Sequence, residues 1–180
     1  MILFLSGGAV AIDLASRIEN SSKIRCLMVE NTFTSIPEVA KSLFQVKLVR
    51  CMPKWMYKNQ FMSRVKVPRL TVPVLYLSGT GDQLIPPSMM SELFNSSASE
   101  VKLLARFPGG SHNETWMSNH YYQTIEYFFD EVQIHISILR FWYEMANSKF
   151  DKFQVVQIKD SSVRTRLPPP PTLVSQDNII

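Results

Sequence analysis

Short apolar runs that break off at glycine or polar clusters alternate along this chain with segments whose apolar residues recur every few positions. The first run, Met1 to Leu5, stops at Gly7-Gly8 and reads as a strand buried on both faces, as in a parallel sheet. From Ala9 the period changes. Val10, Leu14 and Ile18 fall four apart on one helical face, and Asn20-Ser21-Ser22 ends the pattern. Ile24 to Val29 is a second buried strand. Ser35 as N-cap and Pro37 in the first turn then open a helix running to about Arg50. Cys51 to Leu70, with Pro53, Trp55, Tyr57 and Phe61, reads as short helical turns and loop against the core. Pro73 to Ser78 is a third strand, ended by Gly79-Thr80-Gly81, after which Pro86 and Pro87 open a helix from Ser88 to about Phe94. Val101 to Phe107 is a fourth strand, closed by Pro108-Gly109-Gly110. Tyr121 to about Val132 is a helix with Ile125, Phe128 and Phe129 on an apolar face. Strands alternating with helices predict an α/β domain built on a parallel sheet.

Composition narrows the class. The chain has 180 residues, 46% of them hydrophobic and 11% aromatic, which is enough for one sizeable core and too apolar for a disordered polymer. Residues 1–146 are expected to form the domain. Residues 147–180, with the run Pro168-Pro169-Pro170-Pro171, are expected to be a flexible tail. Cys26 and Cys51 are too few for a disulfide scaffold and have no histidines at zinc spacing, so no metal is expected. The net charge of +4 comes from lysines and arginines spread along the chain, with no basic run, which argues against a nucleic-acid partner. No stretch is long and apolar enough for a membrane span, and Met1 to Leu5 lacks the basic region and length of a secretory signal. Asn20-Ser21-Ser22, Asn95-Ser96-Ser97 and Asn113-Glu114-Thr115 match the N-glycosylation triplet, a pattern too frequent by chance to carry an assignment.

Three loops carry candidate chemistry, each at the C-terminal end of a predicted strand, where open parallel sheets place their ligands. They hold Ser6 in Leu5-Ser6-Gly7-Gly8, Asp82 in Gly79-Thr80-Gly81-Asp82, and His112 in Gly109-Gly110-Ser111-His112. Taken singly, the aspartate and the histidine are ordinary turn residues. Taken jointly, they follow the order nucleophile, acid, base of an α/β-hydrolase triad. A serine hydroxyl is a weak nucleophile until an imidazole accepts its proton, and that imidazole needs an acceptor on its other nitrogen. His120 and His135 sit on helical stretches and take no role.

The segments Gly7-Gly8-Ala9-Val10-Ala11-Ile12, Val29-Glu30-Asn31-Thr32-Phe33, Ser78 to Pro87 (Ser-Gly-Thr-Gly-Asp-Gln-Leu-Ile-Pro-Pro) and Phe107 to Asn113 (Phe-Pro-Gly-Gly-Ser-His-Asn) resemble the α/β-hydrolase-domain-containing protein 13 and bud-emergence-suppressor family. The likeness runs from about Ile2 to about Val132. It implies the C-terminal part of an α/β-hydrolase fold, with Asp82 and His112 as triad members and no cofactor. It also implies action on carboxylic esters or thioesters, protein-linked palmitoyl thioesters among them. Members carry an N-terminal membrane anchor, so the resemblance implies membrane association through a segment this chain is expected to lack. The family's strand-to-helix elbow reads Gly-x-Ser-x-Gly-Gly, whereas this chain has Phe4-Leu5-Ser6-Gly7-Gly8. One register puts Leu5 at the nucleophile position. The other keeps Ser6 as nucleophile and Gly7 as oxyanion donor, but puts Phe4 where a glycine is wanted and a phenyl ring should crowd its neighbours. The strands that precede the elbow in the family are also expected to be missing. The competing expectation is therefore a truncated, inactive hydrolase remnant that serves as an interaction module or has no function.

Overall fold

A computed structural model of the chain describes residues 2–4, 6–43 and 60–151, with side chains from 7–43 and 60–145. The expected continuation of a helix to Arg50, most of the segment from Cys51 onward and the polyproline tail lie outside the described residues. So do Leu5 and the Phe4 ring, and with them the expected crowding of the elbow. Two compact units are distinguished, Met1–Ile134 and His135–Ile180.

The first unit is a four-stranded parallel sheet in the order β1 (Ile2–Phe4), β2 (Leu27–Glu30), β3 (Val74–Gly79), β4 (Lys102–Phe107). Each strand follows a crossover and adds to the same edge. The pairing runs Phe4 to Glu30, Glu30 to Leu77, and Gly79 to Phe107, so all four strands end at one rim. Every residue of β2 and β3 is buried, which is why these segments read as unbroken apolar runs. The outer strand β4 is only partly covered.

One face of the sheet carries the main core. Leu27 and Val29 stand beside Val74 and Tyr76, and Leu104 extends the row. Against them pack α1 (Ser6–Ala15), the short turn α4 (Ser63–Lys66) with the 3₁₀ turn Val67–Arg69, and α5 (Pro87–Ser96). Their contributions are Ile12, Val67, Leu70 and Leu93, all fully buried, together with Met90. Each such side chain adds roughly 1.5–3 kcal/mol by leaving water. The buried face of α1 is Ala11, Ile12 and Ala15. The face marked by Val10, Leu14 and Ile18 is exposed instead, at 41%, 38% and 89%. A helix that starts two residues after a strand must lie close to the sheet, and small side chains allow that approach where a branched stripe would not. The pattern also ends earlier than expected, at Ala15, with a separate turn α2 (Ile18–Ser21).

Beyond β2 lies α3 (Ile36–Leu43), opened as expected by Ser35 and Pro37. The Glu38 amide donates to Ser35 Oγ at 3.4 Å. On the other side of the fold, α6 (Tyr121–Asp151) follows the His112 loop. Its buried residues are Tyr121, Phe128 and Val132, whereas Phe129 is 45% exposed rather than part of the apolar face. The helix does not stop near Val132. It continues to Asp151, so residue 147 is helical. Within the second unit this helix exposes Ile138, Leu139, Phe141, Trp142 and Tyr143, and is supported by an Arg140–Glu144 pair at 2.9 Å one turn apart.

Candidate active site

The turn after β3 and the loop after β4 are sewn together by backbone before any side chain is considered. Thr80 N–H donates to Phe107 O, Gly81 N–H to Gly110 O, and Gly109 N–H to Thr80 Oγ1, each at 3.0 Å. This approach excludes side chains. A Cβ on Gly79 would overlap the Gly110 carbonyl and the Thr115 hydroxyl, and Gly109 has a positive φ of 72°.

On that frame sit Asp82 and His112. The Asp82 carboxylate is 1% exposed. Its Oδ1 accepts the N–H groups of Leu84 and Ile85 at 2.8 Å each, an arrangement that fixes the group's orientation. Its Oδ2 lies 2.7 Å from His112 Nδ1. The ring is 13% exposed and borders an open depression lined by Gly81, Gln83, Leu84, Ser111 and Asn113. With Nδ1 held by the carboxylate, the proton sits on Nδ1 in the neutral ring, and Nε2 is the basic nitrogen.

Ser6 and Gly7 are the first two residues of α1, just past the end of β1 and therefore at the same rim. The Gly7 amide is one of the leading amides of the helix, which no carbonyl within the helix accepts. The Ser6 side chain lies outside the described residues. The structure thus brings Asp82 and His112 into contact and places Ser6 at the rim at the end of β1, two strands from the Asp82 turn and three from the His112 loop.

Two further groups are missed by reading the sequence alone. Asn31, directly after β2, has a positive φ of 43° and is 2% exposed. Its Oδ1 accepts Gly79 N–H at 2.8 Å. Its Nδ2 lies 2.9 Å from Thr115 Oγ1, 3.1 Å from His112 O and 3.3 Å from Ser111 O. The Thr115 hydroxyl donates its own hydrogen bond to Ser111 O at 2.7 Å. The only sequence signal is a short polar residue at a strand end, which tolerates the left-handed conformation. Glu30, the last residue of β2, is fully buried, and Tyr121 at the start of α6 donates to its Oε2 at 2.5 Å. Burial pushes the Glu30 carboxyl up, against the smaller opposing pulls of the Tyr121 hydroxyl and of His112. Among the described residues no group of three or more His, Cys, Asp or Glu side chains is placed to hold a metal ion. Cys26 is a half-buried free thiol whose pKa burial raises, which makes it a poor nucleophile.

Comparison with known proteins sets this geometry in a family. No family model matches the chain. Protein bem46 of Schizosaccharomyces pombe is 35% identical over 132 residues, 71% of this chain and 42% of that protein. The alpha/beta hydrolase domain-containing protein WAV2 of Arabidopsis thaliana is 30% identical over 62% of this chain and 39% of its own length. A Saccharomyces cerevisiae protein named as an uncharacterized membrane protein is 31% identical over 69% of this chain and 43% of its own length. The chain spans about two-fifths of the length of these relatives. Among solved structures, acetyl xylan esterase 1 from a Thermoanaerobacterium superposes with a TM-score of 0.53 at 18% identity, over 73% of this chain and 44% of that one. A metagenome-derived lipolytic enzyme does so with a TM-score of 0.52 at 16% identity, over 75% of this chain and 64% of that one. The chain therefore carries part of an α/β-hydrolase fold and is a homologue of bem46 and its α/β-hydrolase-domain relatives.

Proposed function

We propose that the chain contributes a Ser6, Asp82, His112 triad to a serine hydrolase acting on carboxylic esters or thioesters. The observation that carries this reading is the 2.7 Å contact between a buried, doubly anchored Asp82 carboxylate and His112 Nδ1 at the strand ends. Asp82 holds the ring tautomer and stabilises the imidazolium. His112 Nε2 takes the Ser6 hydroxyl proton as the oxygen attacks the acyl carbon, then returns it to the departing alcohol or thiol. The Gly7 N–H donates to the oxyanion that forms. Water attacks the resulting acyl-enzyme by the same route, with His112 again as base, and no cofactor enters the cycle. The esterase and lipolytic names of the fold neighbours support ester chemistry. The membrane protein among the relatives supports acyl chains presented at a membrane, although no helix of the described residues is long and apolar enough to cross one.

Labelling with a fluorophosphonate probe tests the reading. The folded chain should be labelled at one site, Ser6→Ala should abolish the label, and Asp82→Asn should slow it by roughly 10³–10⁴-fold. A folded wild-type chain that takes no label, or a label that persists in Ser6→Ala, overturns the assignment. The first of these results makes the chain a non-catalytic homologue.

A further inference from the structure

We infer that Asn31 is the positioning residue that sets where the base stands. This rests on the triad reading for its consequence in catalysis, but not for its geometry. Asn31 directly follows β2, the strand whose end carries none of the three triad candidates, and its amide bridges the two loops that carry the acid and the base. Through Oδ1 it is fastened to Gly79 N–H, the last residue of β3 and three before Asp82. Through Nδ2 it holds the carbonyls of Ser111 and His112 and the Thr115 hydroxyl. The Asn31 backbone is itself fixed, because its N–H donates to Leu77 O at 3.0 Å. One side chain thus spaces the acid turn and the base loop from the end of a third strand, which is itself hydrogen-bonded to β3. Its polarity matters as much as its shape, since one end must accept and the other must donate.

This amide does what the Asp82–His112 contact cannot do alone. A carboxylate pulls an imidazole towards itself but does not fix the backbone from which the ring hangs. Holding the carbonyl of His112 itself restricts that backbone, so the ring's orientation follows from the loop as well as from its hydrogen bond to Asp82. The amide is buried, so a lost partner cannot be replaced by bulk water at no cost.

Asn31→Asp separates the two ends of the amide. It keeps an acceptor for Gly79 N–H and tolerates the same backbone, but it sets a carboxylate oxygen against two carbonyls. The full 180-residue chain is compared with this variant by two readouts. They are the low-field proton resonance of His112 Nδ1 and the rate of fluorophosphonate labelling across pH. With a cooperative melt retained, the Nδ1 resonance should broaden or vanish, and labelling should slow by about 10–100-fold with a shifted pH profile. A folded Asn31→Asp chain that keeps the Nδ1 resonance and labels within about twofold of wild type overturns the inference. Should wild type itself take no label, the triad reading fails, yet the resonance still decides the positioning role. Thr115→Val removes one of the Nδ2 partners while keeping the shape of the side chain. It should slow labelling about fivefold and weaken the same resonance. If Asn31→Asp fails to fold, a Thr115→Val chain indistinguishable from wild type in both readouts overturns the inference.

Discussion

The two ends of the rim are built from different materials. At the β3–β4 end Asp82 and His112 are held by a polar lattice. Asn31, Thr115, the Asp82 carboxylate and the backbone of two glycine-rich turns satisfy one another, and bulk is excluded at Gly79. At the β1 end the helix that begins with Ser6 is held by apolar contact through Ala11, Ile12 and Ala15, while Val10, Leu14 and Ile18 face outward. Hydrogen bonds fix direction and distance, whereas apolar packing fixes proximity and is proportional to area. The Asp82–His112 pair is thus preorganised by geometry, and the helix that begins with Ser6 is located by packing.

Substitutions can break this contrast from either end. The largest effect is expected from Ile12→Ala, which removes a fully buried side chain between α1 and the sheet and should cost about 2–5 kcal/mol. Urea denaturation measures the loss, and the His112 Nδ1 resonance of the remaining folded chain should be unmoved. Gly79→Ala attacks the opposite end. Overpacking against backbone there should cost about 1–3 kcal/mol and disturb that resonance as well. A resonance unchanged in Gly79→Ala would show that the glycine frame does not set the dyad.

Smaller changes sharpen the comparison. Tyr121→Phe leaves the buried Glu30 carboxyl without its hydroxyl donor and should cost about 1–3 kcal/mol in the same denaturation experiment. Glu30→Gln should reveal a pH term. Because burial raises the Glu30 pKa in the folded state, the group's favourable contribution is complete in acid and is lost as pH rises through the raised value. The stability of Glu30→Gln relative to wild type should therefore improve as pH rises above the ordinary carboxylate range, and a flat difference would contradict the shift. Leu14→Gln, on the outward face of α1, should change stability by no more than about 0.5 kcal/mol. A larger loss would mean that this face is covered in solution.

The strands were legible because β2 and β3 are buried on both sides and leave continuous apolar runs bounded by glycine and proline. The Asp82 turn was legible because it follows such a strand, and the His112 loop because the partly covered β4 still reads as a largely apolar run closed by Pro108-Gly109-Gly110. The inward face of α1 was not, since an i, i+4 row of large apolar residues has the same period whether it faces the core or solvent. Alanine carries no hydropathic signature strong enough to outvote that row. The full length of α6 escaped because a mixed stretch such as Ile134 to Met145 buries little and shows no narrow apolar stripe. Asn31 escaped for another reason. Its side-chain partners are 48 to 84 residues away, and no local pattern encodes contacts of that span.

That separation has a consequence for how the molecule is made. A chain emerging from the ribosome releases β1, β2 and the Asn31 amide long before the carbonyls that will satisfy it exist. Until the final strand docks, Asn31 must stay hydrated or remain orphaned, and either condition works against early closure of that rim. Nascent intermediates should therefore hold a formed β1–β2 layer with a wet, open end. The Asp82–His112 contact would form only once β4 has docked.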